Sequence, residues 1–476
     1  MSRNKKKYPP FENLEIVDAG AEGLAVGKQN EKVIFVPYVV PGDVIDARIT
    51  RKKKSFFYAY ATRIHRYSDK RTDARCEHFG RCGGCKWQNM DYQHQLFYKQ
   101  KQVKDSLERI GKIDTAFMQD IIPSDKIYHY RNKLEFTFSN KKWFENPEDI
   151  SDDPAIASGL GFHLPGMFDK ILDIQTCYLQ EEPMNRIRLE IKDFAIRNSM
   201  SFYDAREQSG LLRNLVIRNT STGEWMLIVV FGEQDEKAID QMMDHIRANF
   251  PEITSLFFVI NPKKNDDISD LEAVHYSGEP YIMEELKPDE LDKSLKFKIG
   301  PLSFFQTNSS QANKLYNIAL DFAELKGNEL VYDLYTGTGS IANFIAHRAQ
   351  KVIGLEYIAP AIMDAQENSR INAIENTEFY AGDIVDTLTP DFIGYKGIPD
   401  VMITDPPRAG MHPKVIKTIL EMQPGRIVYI SCNPATQARD LQMLKEKYEV
   451  GKIQPLDMFP HTGHVENVVQ LQLITE

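Results

Sequence analysis

Residues 330–340 read Leu-Val-Tyr-Asp-Leu-Tyr-Thr-Gly-Thr-Gly-Ser, and the reading of this stretch decides the fold. A short, mostly apolar strand runs into two glycines one residue apart, and a helix opens after them. Glycines there let the backbone pass close to a ligand at the carboxyl edge of a sheet. Outward from this turn the rhythm is regular. A helix over 311–325 precedes it, strand 352–356 ends on Glu356, and strands 378–380, 401–404 and 426–431 alternate with further helices. Strands and helices alternating at this spacing predict a doubly wound, largely parallel α/β sheet.

Each strand of that sheet ends on chemistry. Glu356 stands where a carboxylate accepts hydrogen bonds from ribose hydroxyls, and Asp383 closes the next strand within reach of an adenine. Thr404-Asp405-Pro406-Pro407-Arg408-Ala409-Gly410 follows the fourth strand. Arg408 occupies the place where a ring would stack on an exocyclic amine, so Asp405 is left to face a bound substrate. Ser431-Cys432-Asn433-Pro434 puts a cysteine at a strand tip, where a favoured thiolate can act as nucleophile. A lone cysteine elsewhere is more often a small core residue. In Phe459-Pro460-His461-Thr462-Gly463-His464-Val465-Glu466 the two histidines lack a nearby cluster of further metal ligands, and Glu466 reads as a general base.

The first part of the chain is of another kind. The whole sequence of 476 residues has a net charge of −10, which taken alone argues against a polyanionic partner. Residues 1–80, with 16 Lys/Arg against 10 Asp/Glu, carry +6, which leaves −16 on the remainder. With a screening length of ~10 Å, each face acts on its own. A basic arm over 1–10 precedes short strands over 14–18, 32–36, 44–50 and 56–64, punctuated by Gly20, Gly23, Gly27 and Pro41-Gly42. That pattern predicts a small β-barrel of the oligonucleotide-binding type. Arg51-Lys52-Lys53-Lys54 with Phe56, Phe57, Tyr58 and Tyr60 pairs charge for phosphates with rings that either stack on bases or fill the core. A helix is expected over 91–111, with Leu96, Val103, Leu107 and Ile110 on its apolar face and Gly111 just past its end. Residues 130–305 mix strands and helices around an exposed acidic insert, 145–153.

Five cysteines, three of them within ten residues, make no disulfide framework. Cys76-x5-Cys82-x2-Cys85 with the distant Cys177 fits either a zinc or an iron–sulfur site, and the single C-x2-C pair favours the latter. No apolar run approaches the ~20 residues of a membrane span, and no secretory signal opens the chain. A cytoplasmic, membrane-free protein is expected.

Taken together, these residues resemble the RNA uracil-5-methyltransferases, in particular bacterial 23S rRNA (uracil-5-)-methyltransferases with a TRAM barrel and a [4Fe–4S] cluster. D-x-x-x-G-x-G over 333–339 is similar to an S-adenosylmethionine loop of class I methyltransferases. Phe304-Phe305-Gln306-Thr307-Asn308, D-P-P-R-A-G, S-C-N-P and F-P-H-T-G-H-x-E follow in the family's order. The resemblance implies a TRAM-like barrel over 1–66, a central iron–sulfur and RNA-binding domain over 67–305, and a methyltransferase domain over 306–476. A helical segment near 94–124 would pack against the last of these. It implies S-adenosylmethionine contacts at Gln306, Tyr335, Ser340, Glu356, Asp383 and Asp405, and cluster ligands at Cys76, Cys82, Cys85 and Cys177. Cys432 becomes the nucleophile at uracil carbon 6, Glu466 the base that removes the carbon-5 proton, and Asp405 the holder of the uracil edge. The expected partner is a flipped uridine of 23S rRNA, with the tRNA T-loop as the alternative, and the expected state is a monomer. Radical methylthiotransferases also join TRAM to a cluster, but through C-x3-C-x2-C. A non-catalytic RNA-binding protein would need neither Cys432 nor Glu466.

Overall fold

The computed structural model describes residues 9–475, so most of the basic arm lies outside the described residues. Strands β1 (Phe11–Ala19), β2 (Ala25–Gln29), β3 (Lys32–Val36), β4 (Val44–Lys52) and β5 (Phe56–Arg66) close a barrel in the order β1-β2-β3-β5-β4. β3 and β5 pair in parallel and the remaining neighbours antiparallel. Period-2 alternation sorts the aromatic run. Phe57 points inward, 5% exposed, among Leu14, Ile34 and Ile45, so it is core rather than a stacking platform. Phe56 and Tyr58 point outward, each in ring contact with Phe35.

Helix α1 (Tyr92–Ser106) starts at an Asp91 cap. Its last turn, Leu107–Gly111, widens to a π turn, and the left-handed residue that stops it is Lys112 (φ 52°), not Gly111. The wider turn shifts the helical phase. Leu96, Val103 and Leu107 are therefore buried while Ile110 is exposed. The buried side chains of α1 share a core with Leu334, Ile416 and Leu441 of the C-terminal half.

A seven-stranded sheet follows, built from β6 (Lys133–Ser139), β7 (Gly159–Leu164), β8 (Met167–Asp173), β9 (Leu212–Asn219), β10 (Trp225–Phe231), β11 (Ile253–Ile260) and β12 (Ala273–Gly278), in the order β12-β11-β10-β9-β6-β7-β8. The acidic insert, 145–153, is largely exposed and leads into the short helix α2 (Pro154–Ala157), capped by Asp153. β10, Trp-Met-Leu-Ile-Val-Val-Phe, is buried along its whole length because both faces of the sheet are covered. Leu227 and Val229 join the core under α3 (Met184–Arg197) and α4 (Glu236–Asn249), whereas Met226 and Ile228 join the core shared with the C-terminal helices.

After the hairpin β13 (Ile282–Leu286) and β14 (Leu295–Ile299) comes α5 (Ser309–Ala323), started by Asn308, whose side chain accepts from Gln311 N. The doubly wound sheet is then laid down by β15 (Leu330–Leu334), α6 (Ser340–Ile345), β16 (Lys351–Glu356), α7 (Ala359–Ile371), β17 (Thr377–Ala381), α8 (Ile384–Thr387), α9 (Pro390–Lys396), β18 (Val401–Thr404), α10 (Pro413–Met422), β19 (Arg426–Ser431), α11 (Pro434–Leu444), β20 (Tyr448–Leu456) and β21 (Glu466–Leu473). The order is β17-β16-β15-β18-β19-β21-β20, with β21 antiparallel to both its neighbours. The chain reverses its direction of growth between β15 and β18, and ligands of such sheets bind at that switch point. Among the described residues no helix is long and apolar enough to cross a membrane.

Candidate active site and cysteine cavity

The carboxyl edge of the C-terminal sheet gathers residues that lie 131 positions apart in the chain, from Tyr335, just past β15, to Glu466. The antiparallel β21 explains the last of them. Ser431 of β19 pairs with Asn467, so the first residue of β21, Glu466, lies at the edge where β19 ends. Glu466 is 5% exposed, Asp405 follows the last residue of β18, and Cys432 follows the last residue of β19. These three groups influence one another electrostatically, together with Arg408.

Local hydrogen bonds fix the Cys432 turn. Asn433 accepts from Ala435 N at 3.2 Å, capping α11, with Pro434 in its first turn. Its Nδ2 donates to Arg408 O at 3.0 Å, and Thr436 Oγ1 donates to the same carbonyl at 3.1 Å. The Asp405–Gly410 turn is thereby tied to the cysteine. Burial pushes the Cys432 thiol up to about 11, Glu466 and Asp405 add to the rise, and a hydrogen bond from Arg408 opposes it. Burial and the Asp405 charge raise Glu466 to about 8, and burial raises Asp405 to about 7. In the sequence Arg408 reads only as a missing ring; its function as a cation beside the thiol appears in three dimensions.

The glycine turn lies next to this group. Tyr335, Gly337 and Gly339 all have left-handed φ values of 63°, 55° and 69°. A Cβ on Gly337 would meet nothing within 4 Å, which leaves the cleft side open, whereas one on Gly339 would lie 2.7 Å from Ala365 Cβ of α7. Glu356 accepts from Gly337 N at 3.1 Å and from Ile358 N at 2.9 Å, bracing the turn from the end of β16. Ser340 Oγ lies 3.1 Å from Tyr316 OH. Asp383 is exposed after β17 and caps α8 through Val385 N. Gln306 precedes α5, its carbonyl held by Asn132 Nδ2 at 2.9 Å. Asp333 Oδ1 and Thr404 Oγ1 are buried without a partner on the paired strands β15 and β18, leaving polar atoms unsatisfied at the switch point.

The remaining four cysteines line a single cavity of about 340 Å³. Cys85 and Cys177 are 9% and 8% exposed and Cys76 and Cys82 half-buried. Gln88 links two of them, accepting from Cys76 N at 3.1 Å and donating to Cys85 Sγ at 3.2 Å. Asn185 accepts from Cys177 N at 2.9 Å. Burial is the first cause of raised thiol values throughout, to about 12 at Cys85 and about 11 at Cys177. Among the described residues no three or more His, Cys, Asp or Glu side chains are arranged to hold a single metal ion. Thr307 and Thr462 also line this cavity, so it borders the loops that carry Gln306 and Glu466.

A family model described as tRNA (uracil-5-)-methyltransferase matches residues 275–474. An uncharacterized RNA methyltransferase of Bacteroides thetaiotaomicron is 54% identical over 459 residues, 95% of this chain and 99% of that protein. One of Chlorobaculum tepidum is 37% identical across 96% of this chain and 95% of its own length. Among solved structures, the Pyrococcus abyssi tRNA (uracil-54, C5)-methyltransferase in complex with S-adenosyl-L-homocysteine superposes with a TM-score of 0.74. It is 29% identical and covers 96% of this chain and 100% of its own.

Proposed function

The chain belongs to the RNA (uracil-5-)-methyltransferase family, and from that premise we propose that it methylates carbon 5 of a specific uridine in 23S rRNA, with Cys432 as nucleophile and Glu466 as base. The observation that carries this reading is the meeting of Cys432, Asp405, Arg408 and Glu466 at one strand-edge cleft beside the glycine turn. The methyl donor of the family, S-adenosylmethionine, supplies when bound a methyl group on a positively charged sulfur. The open side of Gly337 and the unpaired Asp333 Oδ1 suit a ligand of that kind. Gln306, Tyr335, Ser340, Glu356, Asp383 and Asp405 are the residues assigned to hold it.

Carbon 5 of uracil is too weak a nucleophile to take a methyl group unaided. Addition of the Cys432 thiolate to carbon 6 forms a sulfur–carbon bond and pushes the ring double bond's electrons onto the carbon-4 carbonyl as an enolate. Those electrons return through carbon 5, which bonds to the methyl carbon as the donor's sulfur keeps the electrons of the broken bond. Glu466 then removes the proton from carbon 5, the double bond re-forms and Cys432 leaves as thiolate. Arg408 favours the thiolate at both ends of the sequence, and Asp405 holds the uracil edge. The uridine must leave its stack to reach this cleft, at a cost of about a few kcal/mol.

The cysteine cavity is assigned to a [4Fe–4S] cluster. Four thiols lining one cavity offer a cysteine-only donor set, and the single C-x2-C pair favours a cluster over one zinc. Cys76, Cys82, Cys85 and Cys177 would hold it and so would tie the 76–85 loop to the segment around Cys177. The barrel, with its outward rings and the Arg51–Lys54 run, is assigned to gripping RNA.

One observation favours a second substrate reading. The likeness to the Pyrococcus tRNA enzyme extends over 96% of this chain, so the barrel does not separate rRNA from tRNA substrates. Labelled S-adenosylmethionine offered with unmodified 23S rRNA and, separately, unmodified tRNA decides between them. 5-Methyluridine in rRNA alone supports the first reading, and label in tRNA replaces it with the T-loop. Label in neither overturns both.

A further inference from the structure

The loop that leads into Glu466 is gripped from three distant parts of the chain. Residues 457–465 join β20 to β21, and Leu456 lies opposite Glu466 in the register of those strands. Asp457, the next residue, is fully buried and paired at 2.5 Å with Lys99 of α1, also fully buried. Lys99 Nζ donates to Phe459 O at 2.9 Å, and Tyr92 OH donates to Asp457 Oδ2 at 2.9 Å. One turn from Lys99, Gln95 Oε1 accepts from His461 N at 2.8 Å. Tyr92, Gln95 and Lys99 are spaced three and four residues apart, so one face of α1 addresses the whole loop.

The second grip comes from the cysteine loop, where Lys86 N and Trp87 N donate to His461 O at 2.7 and 3.0 Å. The third comes from the barrel. A Cβ on Gly463 would lie 2.4 Å from Gly23 N, so the two turns touch backbone to backbone. His461 itself is held in a left-handed conformation, φ 65°, a strained geometry for a side chain-bearing residue that its surroundings impose.

A buried ion pair is a poor device for stability alone. Each charge loses several kcal/mol of hydration, and an apolar pair of similar volume often serves as well. What the pair provides is direction: it fixes one register of loop against helix, which apolar packing leaves free. Resting on the reading of Glu466 as the base, we propose that Lys99 and Asp457, seconded by Gln95, are positioning residues for the proton-removal step. They hold the loop so that Glu466 stands against Cys432 and Asp405.

RNA carrying 5-fluorouridine at the target separates this role from general packing. Fluorine leaves carbon 5 without a removable proton, so the methylated Cys432–RNA adduct forms and stays whether or not the base is in place. Full-length Lys99→Met is compared with Lys99→Met/Asp457→Asn, which leaves no unpaired buried carboxylate and keeps the protein foldable. The expected result is that turnover on ordinary RNA falls roughly ten- to a hundredfold in either variant. Adduct formation on 5-fluorouridine RNA stays within about twofold of the native protein, and methylated covalent adduct accumulates on ordinary RNA. Parallel loss of turnover and adduct formation in the double variant, or unchanged turnover in both, would overturn the proposal. Failure of the native protein itself to form the adduct overturns the underlying assignment of Cys432 instead, and with it the step that the pair is proposed to serve.

Discussion

Replacing Glu466 by glutamine removes the charge while keeping shape and volume, and its effect divides into two measurable parts. The carboxyl is buried and raised from an ordinary 4.5 to about 8, chiefly by burial, with the Asp405 charge adding to it. A carboxyl whose folded value lies above its unfolded value contributes its stability in full below pH 4.5, and that contribution is lost as pH rises through about 8. Keeping this charge buried at pH 9 costs on the order of 3–5 kcal/mol. Glu466→Gln therefore stabilises the protein at high pH and leaves it nearly unchanged at pH 4.5. For a cooperative unit the size of the C-terminal half, roughly 2–4 °C per kcal/mol gives a rise in Tm of about 6–20 °C at pH 9. Thermal denaturation of both proteins from pH 5 to 9 measures it. The same variant is expected to stop after methyl transfer, with methylated RNA covalently held on Cys432, visible as a denaturation-resistant band. A Tm difference that stays flat across the range refutes the buried-carboxylate argument. Turnover at the native rate refutes the assignment of the base.

Four further outcomes follow from the same geometry. Turnover of the native protein should rise with pH towards about 8, because Glu466 accepts a proton only after losing its own; a rate falling over pH 6–8 contradicts this. Cys432→Ala should abolish methylation while RNA affinity, read by filter binding, stays within about twofold. Arg408→Met removes the hydrogen bond that opposes the rise at Cys432, so adduct formation should slow roughly tenfold at pH 7.5 and recover part of that loss at pH 9. Anaerobically purified protein should show broad visible absorption and about four irons per chain, lost together in Cys85→Ser; stoichiometric zinc in a colourless sample would replace the cluster assignment.

Much of the C-terminal half is written locally. The glycine turn after β15 and the apolar runs of β15, β18 and β19 are legible because strand burial and left-handed φ impose residue types at fixed short spacings. Asn433-Pro434 likewise announces the start of α11 immediately after Cys432. The barrel strands are legible from their turns, but the direction in which each ring points is not. Phe57 and its neighbours Phe56 and Tyr58 are alike in composition, and only the pairing with β3 and β4 sends one inward. The π turn at Leu107–Gly111 also escapes pattern reading, since a change of helical phase leaves no mark on residue type.

Composition and spacing by themselves determined the doubly wound sheet, the barrel and the residues able to carry covalent chemistry, because those depend on contacts within a few turns of chain. Tertiary structure alone decided how they meet. Glu466 reaches the cleft because β21 runs antiparallel to β19, and no local signal marks that reversal. Lys99 reads as one more lysine of a polar helix until Asp457, 358 residues away, takes it out of water. A buried charge is stable only against a partner, and the fold alone chooses which partner that is.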